Sequence, residues 1–157
     1  MSSRLSETFL VGGRYEITER PLGEGATGLV YKAYDIGTKR FVTLKALWPD
    51  ARPDCFGGRW AVLSRLRHPN IVEILDTGVW LSGGEQRPYF VAPLLAGGTL
   101  AGINRPLAVE RAIDIVAQAC HGLQAANEQG LIHGDIGDMH LRGSTGSEWA
   151  EHIALSC

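Results

Sequence analysis

"LGEGATGLVYKAYD", residues 22–35, decides how the rest of this chain is read. Gly23, Gly25 and Gly28 punctuate a turn, and the β-branched and aromatic residues after them resume as a strand, so the stretch predicts a hairpin with a glycine-rich tip. The spacing fits Gly-x-Gly-x-x-Gly-x-Val, in which missing side chains let backbone N–H groups approach phosphate oxygens. A glycine hairpin that binds nothing satisfies the same pattern, because one match of this kind is weak. In a dinucleotide-binding fold the glycines would open a helix, whereas "LVYKAY" is strand-like, which disfavours that alternative.

Working outward, residues 14–22 are extended and mixed, and "RFVTLKALW" (40–48) is β-branched and apolar enough for a third strand. Lys45 lies on that strand, from which an ammonium can reach phosphates held under the glycine turn. An exposed strand lysine is the plain alternative. Pro49, Pro53, Gly57 and Gly58 forbid helix until about residue 59, and a short helix fits 60–67. "HPNIVEILDTGVW" (68–80) reads as a strand after a Pro-Asn turn, "SGGEQRP" (82–88) as a loop, and "YFVAPLL" (89–95) as the fifth strand. Beyond "AGGTL", Val109, Ala112, Ile113, Val116, Ala119, Cys120 and Leu123 keep the helical rhythm until Gly130, which predicts a helix over 107–129. The tail "GSTGSEWAEHIALSC" (143–157) has no strong periodicity.

At 157 residues the chain has room for one domain with a real core, or a domain and a fragment. Its net charge of -2, with 20% charged residues, gives no electrostatic case for nucleic acid or an anionic membrane. The N-terminal apolar run, Phe9 to Val11, is too short for a signal segment or a spanning helix, so a soluble protein is expected. Cys55, Cys120 and Cys157 are odd in number and widely spaced, which argues against a disulfide framework and a zinc site and points to a reducing cytoplasm.

Jointly, "LGEGATGLVYKAYD", "VTLK", "LSRLRHPNIVEILDTG", "PYFVAPLLAGGTL" and "LIHGD" resemble the bacterial-type serine/threonine protein kinases over residues 14–136. The resemblance implies an α+β fold: a small lobe of five antiparallel strands and one short helix, then an incomplete helical large lobe. On this basis 1–13 is an extension, 14–95 the small lobe and hinge, 96–141 the start of the large lobe with its long helix and catalytic loop, and 142–157 a divergent tail. It further implies ATP as the nucleotide. Gly23, Gly25, Gly28 and Lys45 would hold its phosphates, Leu22, Val30 and Ala92 would line the adenine pocket, and the backbone of Pro93 and Leu95 would form the hinge. Asp135 would orient the substrate hydroxyl, with Lys45 as its catalytic companion.

Departures from the family pattern bear on catalysis. The helical glutamate that pairs with the strand lysine falls on Arg59, so a cation faces a cation. After Asp135, Gly137 replaces a lysine and His140 replaces the magnesium-binding asparagine. Magnesium prefers oxygen, and an imidazole is a poor substitute. No Asp-Phe-Gly run follows, no aspartate occurs after Asp138, and the chain stops short of an activation segment. No metal ligand is assigned, and magnesium lacks its usual seats.

The long helix has a narrow polar stripe, Glu110, Asp114, Gln118, His121 and Glu128, and an apolar face of Val109, Ile113, Ile115, Val116 and Leu123. Each of these apolar side chains is worth roughly 1.5 to 3 kcal/mol if buried, so a protein partner or self-association is expected to cover the face. The leading expectation is a truncated kinase-like domain, catalytically impaired, that binds ATP. An active serine/threonine kinase, a non-functional gene remnant and a small-molecule phosphotransferase stand as alternatives, the last because "HGD" also occurs in such loops.

Overall fold

A computed structural model describes residues 8–18, 20–25, 27–50, 58–103, 106–134, 136–137, 140–143 and 151–153, with the backbone alone at 58–60 and 151–153. The chain divides into two units, Met1–Pro53 with Ile74–Leu94, and Asp54–Glu73 with Leu95–Cys157.

The first unit is built by alternation. On β4 (Gly28–Asp35) and β5 (Arg40–Leu47) every second residue is buried over Tyr31–Asp35 and Val42–Ala46, and the eight paired positions of this hairpin form the middle of an antiparallel sheet. On one side of it, β2 (Tyr15–Thr18) pairs with β4, and β1 (Thr8–Val11) pairs with β2. On the other side, β7 (Glu85–Pro93) pairs with β5, and β6 (Asp76–Ser82) closes the row. A short strand, β3 (Gly23–Gly25), pairs with β4 off this path, giving seven strands in all. Val11, Tyr15, Ile17, Tyr31, Ala33, Val42, Leu44, Ala46, Tyr89 and Val91 form one core cluster. Tyr15 and Tyr89 meet edge to face at 6.2 Å. Gly78 is bare for the same ring, because a Cβ there would lie 2.5 Å from the Tyr89 hydroxyl.

The predicted α+β class therefore holds, with more strands than the five expected. The extended stretch read over 14–22 carries a strand only at β2, which ends at Thr18 ahead of Pro21, a residue with no N–H for a ladder, and the segment read as the glycine turn itself carries the short strand β3. Thr8–Val11, in the stretch read as an extension, is an edge strand. The strand expected from residue 68 begins only at Asp76. Before it, backbone groups are used locally: the Ile71 N–H donates to the His68 carbonyl and the Asn70 N–H to His68 Nδ1. The loop expected over 82–88 shrinks to Gly83 and Gly84, both at positive φ as a two-residue hairpin turn requires. Pro88 is tolerated inside β7 because pairing with β5 reaches only to Tyr89.

Asp35 ties the turns together. It is 3% exposed. Its carboxylate accepts hydrogen bonds from Arg14 Nε and Nη2 at 2.7 and 2.8 Å, from the Gly37 N–H and from the Thr38 hydroxyl. Arg14 also lies 3.7 Å from Asp76, which accepts the Tyr15 hydroxyl at 2.6 Å.

The second unit contains α1 (Gly58–Leu63) and α2 (Val109–Glu128). Ile115, Ala119, Gly122 and Ala126 form the buried stripe of α2. The helix ends where expected: Gly130 has φ 74°, its N–H donates to the Asn127 carbonyl, and the Leu131 N–H returns to Ala126. Asn70 reaches α2 through Gln118 at 3.1 Å. A hairpin that the sequence reading left without structure, β8 (Leu141–Gly143) with β9 (Glu151–Ile153), lies against the helix. Among the described residues no helix is long and apolar enough to cross a membrane.

Arg14 holds the Asp35 carboxyl well below the usual carboxylate range, with smaller help from Thr38 and the backbone of the turn. A depressed folded value stabilises the fold above the unfolded value of about 4, and that contribution fades as pH falls below it toward the folded value. Asp35→Asn is therefore expected to lower the melting temperature at pH 7 and to flatten its decline between about pH 4 and 2. Circular-dichroism melts across that range check both.

Candidate functional site

The glycine hairpin is antiparallel to its last pair: Gly23 with Val30, Glu24 with Leu29, and Gly25 with Gly28. The Leu22 N–H donates to the Val30 carbonyl at 2.6 Å, and the Leu22 side chain is 63% exposed. The three glycines are bare for different reasons. A Cβ at Gly28 would run into the Ala46 carbonyl and lie 2.7 Å from the Leu47 Cα, so the close approach of β4 to β5 demands glycine. A Cβ at Gly23 or Gly25 meets nothing within 4 Å. Packing among the described residues does not require those two glycines, and leaves space there for a ligand.

Lys45 is paired directly with Val30 on one side and Phe90 on the other. Directly opposed residues share a face, so these three form a row across β4, β5 and β7 on the side away from the core cluster. The half-buried Lys45 places its ammonium 6.0 Å from the Phe90 ring centroid. Two residues along, Thr43 is paired with Ala92, which is 4% exposed, and its hydroxyl donates to the Pro93 carbonyl at 3.5 Å. The face thus offers a cation, apolar neighbours and a carbonyl acceptor, the ingredients for an anionic ligand with a flat polar-edged ring.

Of the residues expected to act on a nucleotide, Leu22, Gly23, Gly25, Gly28, Val30, Lys45, Ala92 and Pro93 all belong to the first unit, and Leu95 belongs to the second. Asp135 and the side chain of Arg59 lie outside the described residues. His140 is described: its ring stands edge-on to His133, with centroids 4.9 Å apart, and its backbone N–H donates to the Gly137 carbonyl. An imidazole in that setting does not offer magnesium the oxygen it prefers. Among the described residues no three His, Cys, Asp or Glu side chains converge on a metal-sized space.

Sequence reasoning passed over Thr43, Phe90 and Trp48. The first had a signal, because it shares a strand face with Lys45 by alternation. Phe90 needed the register of β5 on β7, which no local pattern reveals. The Trp48 indole donates to the Gly25 carbonyl at 3.2 Å, a contact set by the length of β5.

Comparison with known proteins gives a consistent result. Residues 16–139 match the family described as "Protein kinase domain". The chain is 34% identical over 134 residues to the DNA damage-responsive serine/threonine-protein kinase RqkA of Deinococcus radiodurans, covering 81% of this chain and 20% of that protein. It is 36% identical over 131 residues to the serine/threonine-protein kinase PknB of Mycobacterium leprae, covering 78% of this chain and 21% of that one. Among solved structures, the PknI kinase domain of M. tuberculosis aligns with TM-score 0.74 at 26% identity, covering 96% of this chain and 61% of that domain. Rad53 in complex with AMP-PNP aligns with TM-score 0.77 over 90% of this chain and 38% of that one, and at 19% identity this likeness concerns the fold alone. The chain spans about a fifth of the length of the curated relatives it matches.

The different reasons for the glycines make a testable contrast. In chemical denaturation, Gly28→Ala is expected to cost about 1 to 3 kcal/mol, whereas Gly25→Ala stays within about 0.5 kcal/mol of the parent.

Proposed function

We propose that this chain, which belongs to the protein kinase domain family, binds ATP on the bare face of its glycine hairpin and is impaired in phosphoryl transfer. The observation that carries the first half is the pair Gly23 and Gly25, which no packing among the described residues requires, in the same sheet unit as Lys45. Backbone amides near such a tip suit phosphate oxygens, and the Lys45 ammonium supplies the positive charge that a triphosphate demands. The carbonyl of Pro93 is the acceptor for the exocyclic amine of the base.

Impairment is supported by side-chain chemistry in "LIHGDIGDMHL" (131–141): Gly137 offers no charge where the family has a lysine, and His140 offers nitrogen where a magnesium ligand belongs. ATP would supply the transferable phosphoryl group, and Asp135 would orient an acceptor hydroxyl. A cytoplasmic location, where ATP is abundant, fits the wide spacing of the cysteines.

A second reading rests on α2. Val109, Ile113 and Val116 are 69%, 63% and 59% exposed, and with the exposed Cys120 they follow a spacing of four, three and four that lines one side of the helix. We infer that this stripe takes a protein surface, a second copy or another partner. Sedimentation across concentrations tests the second copy: self-association that Val116→Asp abolishes supports it, and a monomer throughout counts against it.

Titration calorimetry of ATP tests the main reading. Wild type is expected to bind with or without magnesium, and Lys45→Ala to lose about tenfold or more in affinity, as removal of a charge-assisted contact does. Absence of heat in the wild type contradicts nucleotide binding. Magnesium-dependent release of ADP that Asp135→Asn abolishes would instead establish an active kinase.

A further inference from the structure

The glycine hairpin has little packing of its own among the described residues. β3 is only three residues long, all three exposed, and its one strand neighbour is β4. A strand so short and so wet gains little from packing and opens readily. Yet a phosphate cradle works only if its backbone donors are already in place when the ligand arrives. Something outside the hairpin must brace it.

The residue placed to do so is Trp48, immediately after the last residue of β5. Its backbone N–H donates to the Thr27 carbonyl at 3.0 Å, carrying the pairing of β4 and β5 one step beyond Gly28 with Leu47. Its indole Nε1–H reaches further, to the Gly25 carbonyl at 3.2 Å. One residue therefore grips the main chain of the turn at two points, Thr27 and Gly25, through two donors. The ring is held in turn. The Arg87 guanidinium carbon of β7 stands 5.3 Å from its centroid, a cation over an aromatic face, and Arg87 Nη2 lies 3.4 Å from Glu85. The brace runs from β7 through the indole, at the end of β5, to the hairpin tip.

We propose that Trp48, steadied by Arg87, is a positioning residue that clamps the glycine hairpin in its binding geometry. The consequence for nucleotide rests on the reading above, but the clamp itself does not. The indole N–H is the operative group. Trp48→Phe keeps an aromatic face for Arg87 while removing the donor along with part of the ring, and Trp48→His restores a ring N–H. Trp80→Phe, which alters a ring packed against Tyr31 at 6.3 Å, is the control for loss of aromatic packing alone.

Amide hydrogen exchange on the full chain, without ligand, reads the clamp directly. In Trp48→Phe, peptides covering residues 22–30 are expected to exchange several-fold faster while those covering residues 40–46 and 89–93 stay unchanged, and Trp48→His is expected to recover part of the protection. ATP affinity measured on the same proteins is expected to fall by about threefold to tenfold in Trp48→Phe, the effect of one neutral hydrogen bond, and to hold in Trp80→Phe. Unchanged exchange at the hairpin overturns the proposal. So does faster exchange spread evenly over the sheet, which would make Trp48 an ordinary packing residue, or faster local exchange with affinity intact. A wild type that does not bind ATP defeats the nucleotide reading and leaves the clamp to be judged on exchange alone.

Discussion

The ion pair of Arg14 with Asp35 is the constraint on which the sheet depends. A carboxylate 3% exposed at the end of a strand is tolerable only if its oxygens are filled, and four donors from two turns fill them. Because those donors come from the β1–β2 turn and the β4–β5 turn, filling the carboxylate also fixes where the turns sit. The Ile36 N–H, bonded to the Arg14 carbonyl at 3.1 Å, repeats the tie in the main chain. Through Arg14 and Tyr15 the tie extends to Asp76, the first residue of β6. Both outer ends of the strand row are thereby referred to one buried charge.

That anchoring has a functional corollary at the other end of β4 and β5. With Asp35 paired to Arg40 at one end and Gly28 to Leu47 at the other, the register is set over eight residues. It brings Val30 beside Lys45 and Thr43 beside Ala92 on the non-core face. A shift of one residue would turn Lys45 into the cluster of Leu44, Val42 and Tyr89 and abolish the face altogether. The site is thus a by-product of the same register that builds the core. Only the hairpin tip lies beyond the reach of that register, and there Trp48 takes over.

Much of this was legible in the sequence, for physical reasons. β-branched, aromatic and apolar residues over 29–35 and 40–48 specified two strands, because such side chains fit a pleated, half-buried surface. The glycine spacing specified the turn, and the rhythm closed by Gly130 specified α2 almost to its ends. Features that depend on tertiary context were not legible. The extended stretch over 14–22 stopped short at Thr18, ahead of Pro21, and Gly83 with Gly84 made a turn far tighter than the loop its neighbours suggested. The β8–β9 hairpin was missed because three-residue strands carry too little pattern to register. At the site, Lys45 and the glycines could be found from spacing, whereas Phe90 and Trp48 are brought there by strand register and strand length.

The central claim is that the glycine hairpin and the face carrying Lys45 receive a nucleotide. Backbone amide chemical-shift mapping of the full chain on addition of ATP, without magnesium, tests it most directly. The account predicts shifts concentrated at Gly23, Gly25, Val30, Lys45 and Ala92, with the core-side residues Ile17 and Leu44 little changed. A spectrum that ATP leaves unaltered, or one whose changes fall on α2 and spare the hairpin, would contradict it.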